Sequence, residues 1–276
     1  MPDLRRVESG PPRAARILVN GLQLFYLEQG QGTAVVFLHG LGSAAEDWQL
    51  QFPAFAPRYR VIAPDLRAHG QSEAGLFYWT IETLAGDVAQ LLAELQAGPA
   101  HVVGLSLGGC VAQTLALRQP RLVRSLTLVN SFARLRPAGQ RGARRMLKRL
   151  WLLAFAPMTA NAAYIASGVF PKPEQAGLRA AATLRLSGNS RRTYLAAIRA
   201  LLAFDLRAQL PALRCPTLVI AGDRDTTVAL AAKEEQQRLI PGAQLVVVAD
   251  SGHATPYDQA DLFNQTVMDF IQRHEL

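Results

Sequence analysis

The sequence predicts an α/β protein with a mostly parallel sheet of eight strands, helices on both faces of that sheet and one helical insertion. Three observations support this prediction. Short apolar runs recur along the chain, helical patterns separate several of them, and one long segment contains no strand pattern. Strands that alternate with helices are typical of a parallel sheet covered on both faces.

The first two predicted strands form a hairpin, because residues 17–19 and 22–27 flank Asn20-Gly21, a dipeptide that tolerates the positive φ of a tight turn. The other six are rich in Val, Ile and Leu at consecutive positions, as expected for strands buried on both faces. They cover residues 34–38, 60–63, 101–105, 125–129, 217–221 and 245–248. Apolar spacing predicts a helix over residues 81–95, and a second over 110–117 ends before Pro120.

Domain boundaries follow from the segment without strands. Residues 132–209 are rich in Arg, Ala and Leu, so we expect a helical insertion within a core formed by residues 17–131 and 210–276. Residues 1–16 are predicted to form a flexible leader that lacks the apolar segment of a signal peptide. The chain has only two cysteines, too few for a disulfide framework or a four-ligand zinc site, and we expect a cytoplasmic protein.

A candidate nucleophile, Ser106, lies between Gly104 and Gly108 in a Gly-x-Ser-x-Gly pattern. An apolar strand precedes this pattern and a helix follows it, which is the context of a nucleophile elbow. The glycines avoid collisions at the sharp turn, and the helix N-terminus presents free N–H groups to a developing oxyanion. The alternative is a glycine-rich turn with an incidental serine.

A serine hydroxyl needs a base to accept its proton, and His253 is the best candidate among five histidines. The other four are His39, His69, His101 and His274. Both Ser106 and His253 follow predicted strands, at the edge of the sheet where sites assemble. A carboxylate must orient the histidine, and we favour Asp225 over Asp223 because it lies further into its loop. The alternative role for Asp223 is a cap or an ion pair with Arg224.

From about residue 22 to residue 270 the chain resembles cap-bearing esterases and enol-lactonases of the α/β-hydrolase fold. The segments that carry the resemblance are 39–42, 65–72, 104–109, 222–225 and 252–253. It implies an oxyanion hole formed by the backbone N–H groups of Leu41 and Leu107, in a site supported by the loop of His39 and Gly40. Relatives with an aspartate nucleophile are disfavoured because position 106 is serine. Some relatives place the acid after the preceding core strand, where Asn130 cannot take a charged role.

By the same resemblance, residues 132–209 form a cap that covers the serine and lines an apolar acyl pocket. The net charge is +8, and seven basic residues with no acidic residue among them lie between Arg134 and Arg149. Helical spacing predicts one basic and one apolar face. The basic face contains Arg141, Arg144, Arg145, Lys148 and Arg149, and the apolar face contains Met146, Leu147, Leu150, Leu153 and Ala154. We favour a solvated basic face; the alternative is docking of an anionic partner, which could be a membrane surface, an acyl carrier protein or an acidic substrate.

The sequence therefore predicts a serine hydrolase that acts on a small-molecule ester, thioester or lactone. Neither a metal nor an organic cofactor is implied, and no nucleic-acid-binding module accompanies the basic charge. One alternative is an acyltransferase or a cofactor-free perhydrolase that uses the same three residues. Another is a non-catalytic ligand-binding protein with the same fold.

Overall fold

The computed structural model describes residues 10–76, 78–136 and 139–275, and its strands form a single eight-stranded sheet. The strands are β1 (Arg13–Val19), β2 (Leu22–Gln29), β3 (Ala34–Leu38), β4 (Arg60–Pro64), β5 (Ala100–Leu105), β6 (Val123–Val129), β7 (Thr217–Gly222) and β8 (Gln244–Val248). Their order across the sheet is β1-β2-β4-β3-β5-β6-β7-β8. The pairs β1-β2 and β2-β4 are antiparallel and the remaining pairs are parallel, so the predicted mostly parallel sheet is confirmed.

The β1-β2 hairpin turns at Asn20-Gly21, where φ is +48° and +78°. Its first strand begins at Arg13, so residues 13–16 belong to the sheet and the predicted leader is wrong over these positions. Arginine and alanine give this segment little apolar pattern, but pairing with β2 satisfies its backbone, and Arg13 forms an ion pair with Glu28 on that strand. Residues 1–9 of the predicted leader lie outside the described residues.

Helices cover both faces of the sheet, as predicted. The helices of the described chain are α1 (Phe52–Phe55), α2 (Ile81–Glu94), α3 (Leu107–Arg118), α4 (Gly139–Phe155), α5 (Met158–Val169), α6 (Ala176–Ser187), α7 (Arg191–Ala203), α8 (Leu230–Leu239), α9 (Thr255–Asp258) and α10 (Ala260–Gln272). On one face, Leu84 of α2 and Val111 of α3 belong to a buried cluster with β5. On the other, Phe263 and Phe270 of α10 pack in a second cluster with Trp48. The central strands between these clusters are therefore apolar on both sides.

Helices α4 to α7 lie between β6 and β7 and form the helical insertion. The buried side chains of Leu153, Tyr194 and Ile198 give it a small hydrophobic cluster of its own. A bridge between Arg134 and Asp205 brings its two ends together beside the sheet. Within the described ranges, no helix combines the length and apolar character needed to cross a bilayer.

Candidate active site

Ser106 lies at the sharp turn between β5 and α3, with a φ of +52° and a ψ of −110°. This φ is uncommon for a residue with a side chain, and the backbone N–H of Ser106 is held by the carbonyl of Val129 at 2.9 Å. The flanking glycines are required by close packing. A Cβ on Gly104 would lie 2.4 Å from the carbonyl oxygen of Gly108, and one on Gly108 would lie 2.1 Å from that of Leu38. The backbone therefore forms the turn that exposes a serine between a strand and a helix.

Asp225 and His253 are in direct contact, because β7 and β8, which precede them, are adjacent parallel strands. The Nδ1 atom of His253 lies 2.9 Å from Oδ2 of Asp225. The other carboxylate oxygen accepts hydrogen bonds from the backbone N–H groups of Thr227 and Val228 at 2.7 and 3.1 Å. His253 and Ser106 line the same cavity. The structure thus brings all three predicted residues to one edge of the sheet.

Asp223, the other carboxylate of this loop, has a different role from Asp225. It accepts a hydrogen bond from the backbone N–H of Ser251 at 3.2 Å and so ties the loops after β7 and β8 together. Arg224 pairs with Asp250 at 3.1 Å rather than with its neighbour Asp223.

Lys233 of α8, a residue that the sequence analysis does not identify, forms a buried ion pair with Asp225. Its Nζ atom lies 2.8 Å from the same Oδ2 atom that contacts His253, and both side chains of the ion pair are fully buried. Burial favours a raised pKa for Asp225, but the attraction and hydrogen bonds of His253 and Lys233 outweigh it and hold the pKa of this carboxyl below its ordinary value. Burial also lowers the pKa of Lys233, and Asp225 offsets only part of that effect. No sequence signal marks Lys233, since its polar neighbours in the chain are typical of a solvent-facing helix.

Asn130 connects the loops that follow β7 and β8. It is completely buried directly after β6, with a φ of +45°. Its Nδ2 atom donates to the carbonyls of Gly252 and His253 at 3.2 and 2.9 Å and to the hydroxyl of Thr255 at 2.8 Å. Its Oδ1 atom accepts from the backbone N–H of Gly222 at 2.9 Å. These neighbours require both a donor and an acceptor, which an amide has, whereas a carboxylate lacks the donor.

The loop after β3 lies against Ser106. A Cβ on Gly40 would be only 3.8 Å from the Cβ of Ser106, and the next residue, Leu41, lines the cavity. Leu107 is the first residue of α3, where N–H groups have no acceptor within the helix. The backbone amides of Leu41 and Leu107 therefore belong to segments that adjoin the serine.

Three other histidines are buried, and burial lowers the pKa of each imidazole: to about 4 for His39, about 3 for His69 and about 4 for His101. His39 supports the loop after β3, since its Nε2 accepts from the backbone N–H of Leu66 at 2.9 Å and its Nδ1 donates to the carbonyl of Gly40 at 2.8 Å. With both ring nitrogens occupied, His39 holds the backbone rather than accepting a proton from substrate. The ring of His69 lies 5.1 Å from that of His39, within the same buried support.

A cavity of about 300 Å³ lies between the carboxyl edge of the sheet and the helical insertion. The core contributes Ser106 and His253, and the insertion contributes a mainly apolar wall. That wall includes Met146, Ile165, Val169, Leu178, Leu186 and Leu201. Two arginines, Arg149 and Arg185, also line the cavity. Apolar walls with a few polar groups are typical of small-molecule sites.

Helix α4 distributes its basic residues differently from the sequence prediction. Arg149 lines the cavity beside Met146, whereas Leu147 is 66% exposed. The predicted division into one basic and one apolar face is therefore wrong for Arg149 and Leu147, because only the cavity side of α4 is covered. The side chain of Arg141 lies outside the described part of the chain. The exposed residues Arg144, Leu147, Lys148, Trp151 and Phe155 share one arc of the helix, which we call the basic-aromatic face.

The fold and the arrangement of the site residues indicate the class of protein to which this chain belongs. A comparison with known protein families gives the same class. Residues 33–260 match the model of the alpha/beta hydrolase fold family. The chain belongs to this family and is a hydrolase of the α/β-hydrolase fold.

The chain is also similar to individual known proteins and to a solved structure. The chain is 33% identical over 248 residues to the putative carbamate hydrolase RutD of Stutzerimonas stutzeri, covering 86% of this chain and 91% of that protein. It is 29% identical over 239 residues to 3-oxoadipate enol-lactonase 1 of Acinetobacter baylyi, covering 87% of this chain and 88% of the lactonase. The crystal structure of an enol-lactonase from Burkholderia xenovorans superimposes with a TM-score of 0.86 at 29% identity, over 94% of this chain and 100% of that one.

Proposed function

We propose that this protein is a serine hydrolase that cleaves a carboxylic ester, thioester or lactone through an acyl-enzyme on Ser106. The observation that carries the proposal is the arrangement of Ser106 and His253 on one cavity, with Asp225 bound to Nδ1 of the imidazole. Contact at Nδ1 leaves Nε2 of His253 as the atom that accepts the serine proton.

In the proposed reaction, His253 takes the Ser106 proton while Oγ attacks the substrate carbonyl carbon. The backbone N–H groups of Leu41 and Leu107 stabilise the oxyanion. His253 then gives its proton to the leaving oxygen or sulfur as the bond to the carbonyl carbon breaks, which leaves the acyl group on Ser106. Water attacks this acyl-enzyme, its proton passes through His253 to Ser106, and the carboxylic acid is released.

Asp225 has two roles in this scheme. It fixes the tautomer of His253 with the proton on Nδ1, and it stabilises the imidazolium that forms in each step. Its lowered pKa keeps the carboxylate ionised at neutral pH, and Lys233 compensates the buried negative charge while His253 is neutral.

The names of the relatives support acyl chemistry at this site. A lactone and a carbamate each contain a carbonyl carbon bonded to a heteroatom, which is the group that an activated serine attacks. The enol-lactonases and the putative carbamate hydrolase therefore agree with the proposed reaction class.

Acyl transfer to an acceptor other than water is a second candidate. The helical insertion covers the cavity with apolar side chains, and such a cover limits the access of water to an acyl-enzyme. An alcohol or amine would then replace water in the second half of the reaction, whereas hydrogen peroxide would give perhydrolysis.

We place this activity in the cytoplasm. Cys110 is buried, Cys215 is half-buried, and both are free thiols. Free thiols agree with a reducing compartment, and cell fractionation would test the assignment.

Fluorophosphonate labelling tests the nucleophile, because the reagent reacts with an activated serine. We expect the wild-type protein to be labelled and the Ser106→Ala and His253→Ala variants not to be. Ser167→Ala is the matched control, since Ser167 is an exposed serine of α5. Absence of labelling at Ser106 in a protein with a native circular dichroism spectrum would refute the proposal and favour the ligand-binding alternative.

Product analysis distinguishes hydrolysis from transfer. We would assay p-nitrophenyl esters of increasing acyl length, together with lactones, with and without an added alcohol. The free acid as sole product supports hydrolysis, and an ester of the added alcohol supports acyl transfer. A peracid formed in the presence of hydrogen peroxide would reveal perhydrolysis.

A further inference from the structure

Arg149 lines the proposed acyl cavity and has no acidic partner within the part of the chain that the structure describes. Among the described residues, no carboxylate lies within ion-pair distance of its guanidinium. Arg185, the other arginine of the cavity, is paired with Glu46 at 3.0 Å and Asp47 at 2.9 Å. Two carboxylates thus compensate the positive charge of Arg185, whereas no carboxylate in the described ranges compensates that of Arg149.

The guanidinium of Arg149 is held in place, but not every one of its N–H donors has a hydrogen-bond acceptor among the described residues. Its Nη2 donates to the hydroxyl of the buried Tyr194, whose ring centre lies 5.4 Å from the guanidinium carbon. Its Nε is buried and has no hydrogen-bond partner in the described part of the chain. An arginine in a protein stays protonated, so the guanidinium keeps its positive charge and has a donor without an acceptor among the described residues, beside the cavity that Arg149 lines.

We propose that Arg149 binds a carboxylate of the substrate, so that the preferred ester or lactone carries a second, free carboxylate beyond its reacting carbonyl. This inference rests on the proposed function, since it assigns the substrate class of the same cavity. A planar carboxylate matches the fork of the guanidinium, and Tyr194 holds that fork in advance. A single negative charge also balances the single uncompensated positive charge, which favours a carboxylate over a phosphate dianion in an apolar cavity.

A pair of substrates that differ only in charge tests the assignment. Mono-p-nitrophenyl glutarate carries a free carboxylate, and its methyl ester has the same chain without the charge; succinate and adipate pairs would cover other lengths. We expect wild-type kcat/KM to be at least about tenfold higher for the acid of the best-fitting length, since a charge-assisted bidentate contact is among the stronger hydrogen-bonded interactions. The preference should persist at about 0.5 M NaCl, where long-range attraction to surface charge is screened.

Variants then attribute the preference to one side chain. Arg149→Met should lower kcat/KM for the acid by more than for the methyl ester and so remove the preference, and Arg149→Lys should keep part of it because the charge remains without the fork. Arg144→Met is the matched control, because Arg144 lies on the exposed side of the same helix. Equal losses on both substrates, or a wild-type protein without preference at any length, would overturn the inference.

Fluorophosphonate labelling of every variant separates this test from that of the proposed function. Labelled wild-type protein without a charge preference refutes the role of Arg149 and leaves the serine hydrolase intact. Unlabelled wild-type protein refutes the serine hydrolase, and calorimetric binding of glutarate against its dimethyl ester then tests Arg149 by itself. Glutarate binding that is unaffected by Arg149→Met would contradict the inference in that case too.

Discussion

Replacing Asn130 with aspartate changes the hydrogen bonds to the loops that carry the proposed catalytic residues, while the side chain at position 130 keeps almost the same shape. The Asn130→Asp variant keeps the acceptor for the N–H of Gly222 but replaces the Nδ2 donor with an oxygen. That oxygen would face the carbonyl oxygens of Gly252 and His253, now 3.2 and 2.9 Å from Nδ2. The two N–H groups of Nδ2, which face Gly252, His253 and Thr255, lose hydrogen bonds of about 1 kcal/mol each, and a carboxylate is left buried opposite two carbonyl oxygens. We therefore expect the free energy of unfolding at pH 7 to fall by about 3 to 5 kcal/mol.

The loss of unfolding free energy in the Asn130→Asp variant should be smaller at acidic pH. Burial and the facing carbonyl groups raise the pKa of the introduced carboxyl above its value of about 3.9 in the unfolded chain. A group whose pKa is raised on folding adds stability below its unfolded pKa and loses that contribution as the pH rises through its folded pKa. The difference in unfolding free energy between wild type and N130D should therefore be smaller at about pH 5 than at pH 7.

Urea denaturation followed by tryptophan fluorescence at both pH values measures this difference, and turnover of a p-nitrophenyl ester reports the loop geometry. We expect kcat to fall by at least about tenfold, since small displacements of catalytic groups are costly. Asn264→Asp is the control, because the half-buried Asn264 donates to one carbonyl of the described chain, that of Leu50, and aspartate keeps the acceptor for Nε2 of Gln51. An N130D variant within about 1 kcal/mol of wild type and with unchanged kcat would refute the role of Asn130 in holding the loops.

Three further variants probe other contacts. Lys233→Met should lower the free energy of unfolding by about 3 to 5 kcal/mol, because it leaves Asp225 buried with less charge compensation; a smaller loss in urea titrations would contradict this. Gly108→Ala should prevent native folding, since its Cβ would lie 2.1 Å from the carbonyl oxygen of Leu38, and soluble protein with wild-type Tm would argue against the packing described. Docking on a membrane, the alternative to a solvated basic face, predicts that the basic-aromatic face binds vesicles rich in phosphatidylserine more strongly at low salt than neutral vesicles, and that Trp151→Ser weakens sedimentation with them. If the Trp151→Ser variant binds the vesicles as strongly as the wild type, the exposed aromatic side chain does not contribute to membrane binding.

Much of the fold could be predicted because its signals are local. The hairpin at Asn20-Gly21 follows from two residues that tolerate positive φ, and the predicted strand at residues 34–38 coincides with β3. The segment 13–16 shows the limit of this approach. Its arginines and alanines carry little apolar pattern, and only pairing with β2 makes it a strand.

Local signals also located the candidate nucleophile and the loops of its proposed partners. Ser106, Asp225 and His253 each follow a strand. Because parallel strands end at the same edge of a sheet, their positions in the chain were enough to predict that they lie near one another. The contact of Nδ1 with Oδ2 and the shared cavity depend on loop conformations that the sequence does not reveal.

The sequence by itself determined the α/β class, the strand order along the chain and the residue types available for nucleophilic chemistry, because periodicity and turn residues act over a few positions. Only the tertiary structure revealed the surroundings of Lys233, Asn130 and Arg149. Lys233 lies in a polar helical segment, Asn130 ends a strand, and Arg149 is one of seven basic residues in a short stretch, so none differs in sequence from a solvated side chain. Their roles come from burial against partners far away in the chain: a carboxylate, two loop backbones and an apolar cavity. Burial removes water as the alternative partner, and this makes the identity of each neighbour decisive.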